Sequence, residues 1–159
     1  MARSKIPLPD AMAVESLLAS LLDDTIIVQE SEKGRAAGDD LVCVYVTDDD
    51  QWAAVIRCPV ALAACLGGSL GRLPKAATEE AAAAGTLPDS LLANFREVAN
   101  IGASLLCTDD SPHLRFLEAE TASARRAEVR AFEKIVVAHG SFTVDVEGYG
   151  SGTLVLAAV

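Results

Sequence analysis

Aromatic side chains are scarce in this chain, with one Trp, two Tyr and four Phe among 159 residues. A core with so few rings must close on Ala, Val and Leu, and 51% of the residues are hydrophobic. Basic residues are also in short supply. Thirteen Lys and Arg stand against 23 Asp and Glu, a formal net charge of −10. That sign repels phosphate backbones and anionic bilayers, which argues against nucleic-acid and membrane partners. The two histidines, His113 and His139, fall on strand-like segments with no carboxylate or thiol at ligand spacing, so no metal centre is expected. Cys43, Cys58, Cys65 and Cys107 form no CxxC pair and sit in apolar runs, the pattern of buried free thiols in a reducing compartment. No apolar run is long enough to span a bilayer, and "MARSKIPLPD" lacks the apolar centre of a signal peptide. The expectation is a cytoplasmic protein forming a single domain over 1–159.

Nucleotide fingerprints are missing as well. "GYGSG" is flanked by strand-like runs and opens no helix, and "GGSLGR" lacks the Lys-Ser/Thr ending of a phosphate-binding loop. The acidic clusters Asp23-Asp24, Asp39-Asp40, Asp48-Asp49-Asp50 and Asp109-Asp110 stand where apolar runs stop, which reads as turn chemistry. None has the rhythm of a calcium loop.

What is present has a clear order. After Pro9-Asp10, a helix is expected from Val14, Leu17, Leu18, Leu21 and Leu22, ending at Asp23-Asp24. "TIIVQES" reads as a strand and "EKGRAAGDD" as a flexible polar loop. "LVCVYVT" and "QWAAVIRC" meet at an acidic turn and predict an antiparallel hairpin, with Trp52 as a packing anchor. Pro59 suits the first turn of a helix that stops at Gly67-Gly68. A short Ala-rich helix capped by Thr78 follows, and then a long helix from Pro88-Asp89. "HLRFLEAE" alternates as a strand, while "TASARRAEVRAF" fits either helix or extended chain. The C-terminus reads as three β segments broken at His139-Gly140 and at "GYGSG". The fold class expected is α+β, an antiparallel β-sheet with helices packed on one face.

The long helix, "LLANFREVANIGASLL", bears the chemistry. Leu91, Leu92, Phe95, Val98, Ala99, Gly102, Leu105 and Leu106 fall on one apolar stripe. Ala93, Asn94, Glu97, Asn100, Ile101 and Ser104 lie on the other side, where Glu97 and Asn100 project together one turn apart. From spacing alone this is either an ordinary solvated face or a contact surface. Arg115, Arg125, Arg126 and Arg130 could likewise be solvated guards or a basic patch for an acidic partner.

"FREVANIGASLL" resembles the Glu-x-x-Asn helix of the CheC/CheX phosphatases of bacterial chemotaxis. The hairpin followed by a helix with Gly-Gly, and the strands after the long helix, occur in the order expected of a CheX-like single-domain member. The resemblance implies a CheX/CheC-like fold and a phosphatase acting on the phospho-aspartate of a CheY-like response-regulator receiver domain. Glu97 would pair with the receiver's active-site Lys, and Asn100 would orient the attacking water. Asn94, Ile101 and Ser104 would complete the partner contact. Magnesium would sit on the receiver, so the chain itself needs no cofactor. Two positions depart from the pattern: Ala93 stands where Asp or Ser is preferred, and no Pro occurs near Thr121-Ala122. The alternative is a non-catalytic protein-interaction module of the CheC/flagellar-switch-like fold that binds a signalling partner. A homodimer is a further expectation, from the Val- and Leu-bearing C-terminal strands as pairing edges.

Overall fold

In the computed structural model, residues 6–32 and 40–159 are described. Most of the loop "EKGRAAGDD" and the first five residues lie outside them. Helix α1 (Ala11–Leu22) starts at Asp10, whose carboxylate accepts a hydrogen bond from the Ala13 N–H at 2.8 Å, and ends at Asp23 in the left-handed region at φ 54°. Strand β1 (Ile26–Glu30) follows. Strands β2 (Leu41–Val46) and β3 (Trp52–Cys58) form the expected antiparallel hairpin, with Leu41 opposite Cys58. Helices α2 (Val60–Leu70), α3 (Lys75–Ala84) and α4 (Asp89–Gly102) come next, and a 3-10 turn at Ala103–Leu106 extends the last. Strand β4 (Arg115–Thr121), a 3-10 turn at Ala122–Arg125, helix α5 (Arg126–Glu133), and strands β5 (Ala138–Val146) and β6 (Gly150–Ala158) complete the chain.

The six strands form one sheet in the order β1-β5-β6-β3-β2-β4, and every pairing is antiparallel. Exchanging β1 with β4, β2 with β5 and β3 with β6 returns the same order. The chain thus builds two like halves that meet where Ala54 pairs with Ala158 and Ile56 with Leu156. β5 and β6 are interior strands, so the C-terminal edges expected to support a homodimer do not exist. The edges are β1 and β4.

Side-chain alternation divides the sheet into two faces. Leu41, Cys43, Tyr45, Ile56, Phe142, Val144, Leu154 and Leu156 meet Val14 and Leu18 of α1, Leu62 and Leu66 of α2, and Phe95 and Val98 of α4 in the main core. α3 lies outside this layer, its Ala81 packed with Ala64 of α2 and Leu91 of α4. Val42, Val44, Val46 and Val55 point the other way, under Val129 and Phe132 of α5, with Trp52 beside Phe132 at a ring-centroid distance of 5.9 Å. β2 is therefore buried along its whole length. The four larger helices keep to one face as expected. α5, ambiguous in sequence, is a helix and adds partial cover to the other.

Three local expectations are corrected. α2 does not stop at Gly67-Gly68 but runs through both to Leu70. A Cβ on Gly67 would stand 2.7 Å from the Leu91 carbonyl oxygen, and one on Gly68 would stand 2.3 Å from the Thr78 methyl. These glycines are slots for neighbouring helices rather than stop signals. Thr78 does not cap α3, which begins after Pro74; it is buried inside the helix and its hydroxyl donates to the Lys75 carbonyl at 2.8 Å. The C-terminus forms two strands, not three. His139 and Gly140 continue β5, and the reversal comes at the turn containing Gly148 at φ 83°.

The core thiols make stability sensitive to alkali. Burial pushes the Cys43 thiol from 9.0 up to about 12, and burial, with Cys43 next, also raises Cys58. The folded state keeps these protons to higher pH than the unfolded chain does. The stabilisation is therefore complete below pH 9 and is lost as pH rises from 9.0 through about 12. Urea unfolding should show that decline, and Cys43→Val should flatten part of it. Gly67→Ala should cost about 1–3 kcal/mol by the same measurement, because backbone rather than a flexible side chain blocks the added methyl.

Candidate functional site

Glu97, Asn100, Ile101 and Ser104 lie on the outer side of the C-terminal half of α4 and the turn after it. Leu91, Phe95, Val98, Ala99 and Gly102 are buried, which fixes the rotation of the helix. Glu97, Asn100 and Ser104 are exposed, and Ile101 is half-buried beside them. Among the described residues, neither the Glu97 carboxylate nor the Asn100 amide has a hydrogen-bond or ion-pair partner. Ser104 donates its hydroxyl to the Ile101 carbonyl at 3.0 Å, which steadies the turn below Asn100.

Asn94 stands apart from this group. It is half-buried, and its Nδ2 donates to the Gly67 carbonyl at 3.1 Å, so its amide is engaged in joining α4 to α2. Ala93 is exposed one turn before Glu97 and presents only a methyl there.

A residue not singled out from sequence fixes the helix end. The Tyr45 hydroxyl, fully buried on β2, donates to the Ala99 carbonyl at 2.6 Å. At this point the helix tightens, and the Ala103 N–H donates to the Asn100 carbonyl rather than to that of Ala99. The phenol thus supplies the Ala99 carbonyl with a donor inside the core. Burial, followed by Cys43 and Cys58, pushes the Tyr45 phenol well above its usual range, so it stays a donor. Its ring lies against Phe116 of β4, with centroids 5.7 Å apart. A tyrosine in a strand otherwise made of Leu, Val and Cys is the sequence signal that a buried hydroxyl needs a partner.

The four-arginine patch does not assemble. Arg115 pairs with Asp50, and Arg125 bonds Glu118 at 2.7 Å with Glu120 and Glu128 nearby. His113 reaches Asp48 at 3.2 Å through space rather than along the sequence, and it precedes β4 instead of lying in it. No group of three metal-ligating side chains occurs among the described residues, and no helix there is long and apolar enough to cross a membrane.

No family model matches the chain, and no curated protein does. Solved structures do. The fold is similar to that of Thermotoga maritima FliY, with TM-score 0.63 and 12% identity over 94% of this chain and 84% of that one. The FliM–SpeE complex of H. pylori contains a similar chain, with TM-score 0.60 and 11% identity over 93% and 80%. A chain of the H. pylori FliG–FliM complex follows, with TM-score 0.56 and 11% identity over 93% and 85%. At these identities the likeness is one of fold: this chain has the α+β fold of the FliY structure and of the similar chains in the two FliM complexes.

Replacing Tyr45 with Phe should destabilise the protein by about 1–3 kcal/mol, because the buried Ala99 carbonyl loses its donor. Amide exchange should accelerate at Ala103–Leu106 more than in α1.

Proposed function

We propose that this chain dephosphorylates the phospho-aspartate of a response-regulator receiver domain, with Glu97 and Asn100 as the residues that act on it. One observation carries the reading: a carboxylate and a primary amide one turn apart on one helix, both exposed and neither engaged by another described residue. The resemblance of "FREVANIGASLL" to the phosphatase helix assigns each a role. Glu97 pairs with the receiver's lysine and fixes the docking register. The Asn100 amide can accept from and donate to water, so it holds the nucleophile in line with the acyl phosphate. Water oxygen bonds to phosphorus as the bond to the aspartate oxygen breaks, releasing inorganic phosphate and restoring the receiver carboxylate. A magnesium ion on the receiver would supply charge neutralisation at the phosphoryl group. This chain then contributes positioning, which suffices for a reaction limited by orientation and charge stabilisation.

A second reading has an observation of its own. Two of the similar structures are complexes, FliG with FliM and FliM with SpeE. This favours a protein-interaction module in which the same helix face docks a signalling or switch partner without hydrolysis.

Timing the loss of phosphate from a receiver separates the two. Under the phosphatase reading, wild type accelerates it, and Asn100→Ala spares binding but abolishes most of the acceleration. Glu97→Ala should weaken binding by about 1.5–3 kcal/mol, the cost of one charge-assisted hydrogen bond. Equal acceleration by all three proteins would remove Glu97 and Asn100 from the mechanism. Binding without acceleration by wild type would establish the module instead.

A further inference from the structure

On the sheet face opposite α4, Arg57 of β3 and Arg126 and Arg130 of α5 line one cavity of about 700 Å³, floored in part by Ala122 and Val129. The neighbouring carboxylates engage Arg57 and leave Arg126 and Arg130. Arg57 donates from Nη1 to Glu133 at 3.1 Å, and Asp40 lies 3.9 Å from its Nε. That Nε is buried, and among the described residues it makes no hydrogen bond. Arg126 and Arg130 are exposed and make no ion pair among the described residues, whereas Arg72, Arg115 and Arg125 are all paired. They stand four residues apart on one helix, the spacing at which like charges repel. Glu133, three residues beyond Arg130, is turned to Arg57 instead. Three arginines and one carboxylate, Glu133, thus line the concavity of a chain whose net charge is −10.

We infer that this cavity binds a small phosphorylated molecule, its phosphoryl oxygens taken by Arg126 and Arg130 at the rim and Arg57 at the floor. Guanidinium forks match phosphate oxygens two at a time, a geometry that lysines do not offer. The cavity volume is that of a small-molecule site. An anion placed there relieves the repulsion between Arg126 and Arg130. The site lies across the sheet from Glu97 and Asn100, so it stands or falls independently of the phosphatase reading.

Calorimetric titration of the full chain with inorganic pyrophosphate and with ADP tests it, with citrate as a carboxylate control. Pyrophosphate should bind and raise the melting temperature, and citrate should bind more weakly. Tighter binding of ADP would identify a nucleotide as the source of the phosphate, and equal binding would identify the phosphates alone; either supports the site. Arg126→Ala and Arg130→Ala, at exposed positions that spare the fold, should each weaken binding about tenfold or more. Glu133→Gln should strengthen it by freeing Arg57. Arg96→Ala, which removes an equal charge from α4 on the other side of the sheet, should change nothing. The inference is overturned if wild type fails to bind pyrophosphate at millimolar concentration or citrate binds more tightly. An equal loss in the Arg96 variant and the α5 variants would overturn it too.

Discussion

The hydrogen bond from the Tyr45 hydroxyl to the Ala99 carbonyl joins the most buried strand to the helix that carries the candidate site. β2 is covered on both faces, so Tyr45 has no freedom to follow the helix. The helix must instead hold Ala99 where the phenol can reach it. Asn100 is the next residue along the chain and Glu97 is one turn back, so one buried contact sets the position of both. The tightening of the helix after Ala99 follows from the same contact. A carbonyl already satisfied by a side chain does not need the N–H four residues ahead, which is free to bond at shorter range.

Scarcity of aromatic residues shapes the rest of the helical layer. With little bulk available, close approach replaces large side chains as the way to exclude water. Gly67, Gly68 and Ala64 let α2 sit against α4 and α3 at backbone distance, and the Asn94 amide spans to the Gly67 carbonyl. Dispersion energy depends on many short contacts, so backbone packed on backbone can substitute for rings. The cost is intolerance. Where two helices touch through glycine, even one methyl group must displace the main chain.

Periodicity made the main features legible in sequence. The stripe from Leu91 to Leu106 fixes the rotation of α4, and with it the exposure of Glu97 and Asn100; the Val-rich runs around Asp48–Asp50 fix the hairpin. Glycine is the hardest residue to read in this sequence, because the same residue serves a left-handed turn at Gly148, a helix-packing slot at Gly67 and a plain strand position at Gly140. Only a neighbour distant in sequence distinguishes these uses. Thr78 is not the cap its type suggests, and Asn94 is more enclosed than a surface amide, because each polar group bonds a backbone carbonyl. Arg57 was hidden because a single arginine in a β-strand gives no sign of what will approach it from α5.

The sheet separates two chemistries that share a strand pair. On one side, Tyr45 of β2 ties the α4 helix with its exposed carboxylate and amide; on the other, Arg57 of β3 faces the arginines of α5. The central strands are closely packed on both faces, with Val42, Val44 and Val46 under α5 and Leu41, Cys43 and Tyr45 under α4. A shift of α5 on one face would press on side chains that alternate with those fixing α4 on the other. Such coupling requires a strand that moves as a unit, and β2, flanked by β3 and β4 and buried throughout, is held in place by pairing on both edges. Its rigidity favours two sites that act independently over two that communicate, unless the edge strand β4 separates first. β4 touches both systems: Phe116 packs on Tyr45, and Glu118 and Glu120 hold Arg125 at the start of α5. As a strand paired on one side only, it is the element through which the two faces could be linked.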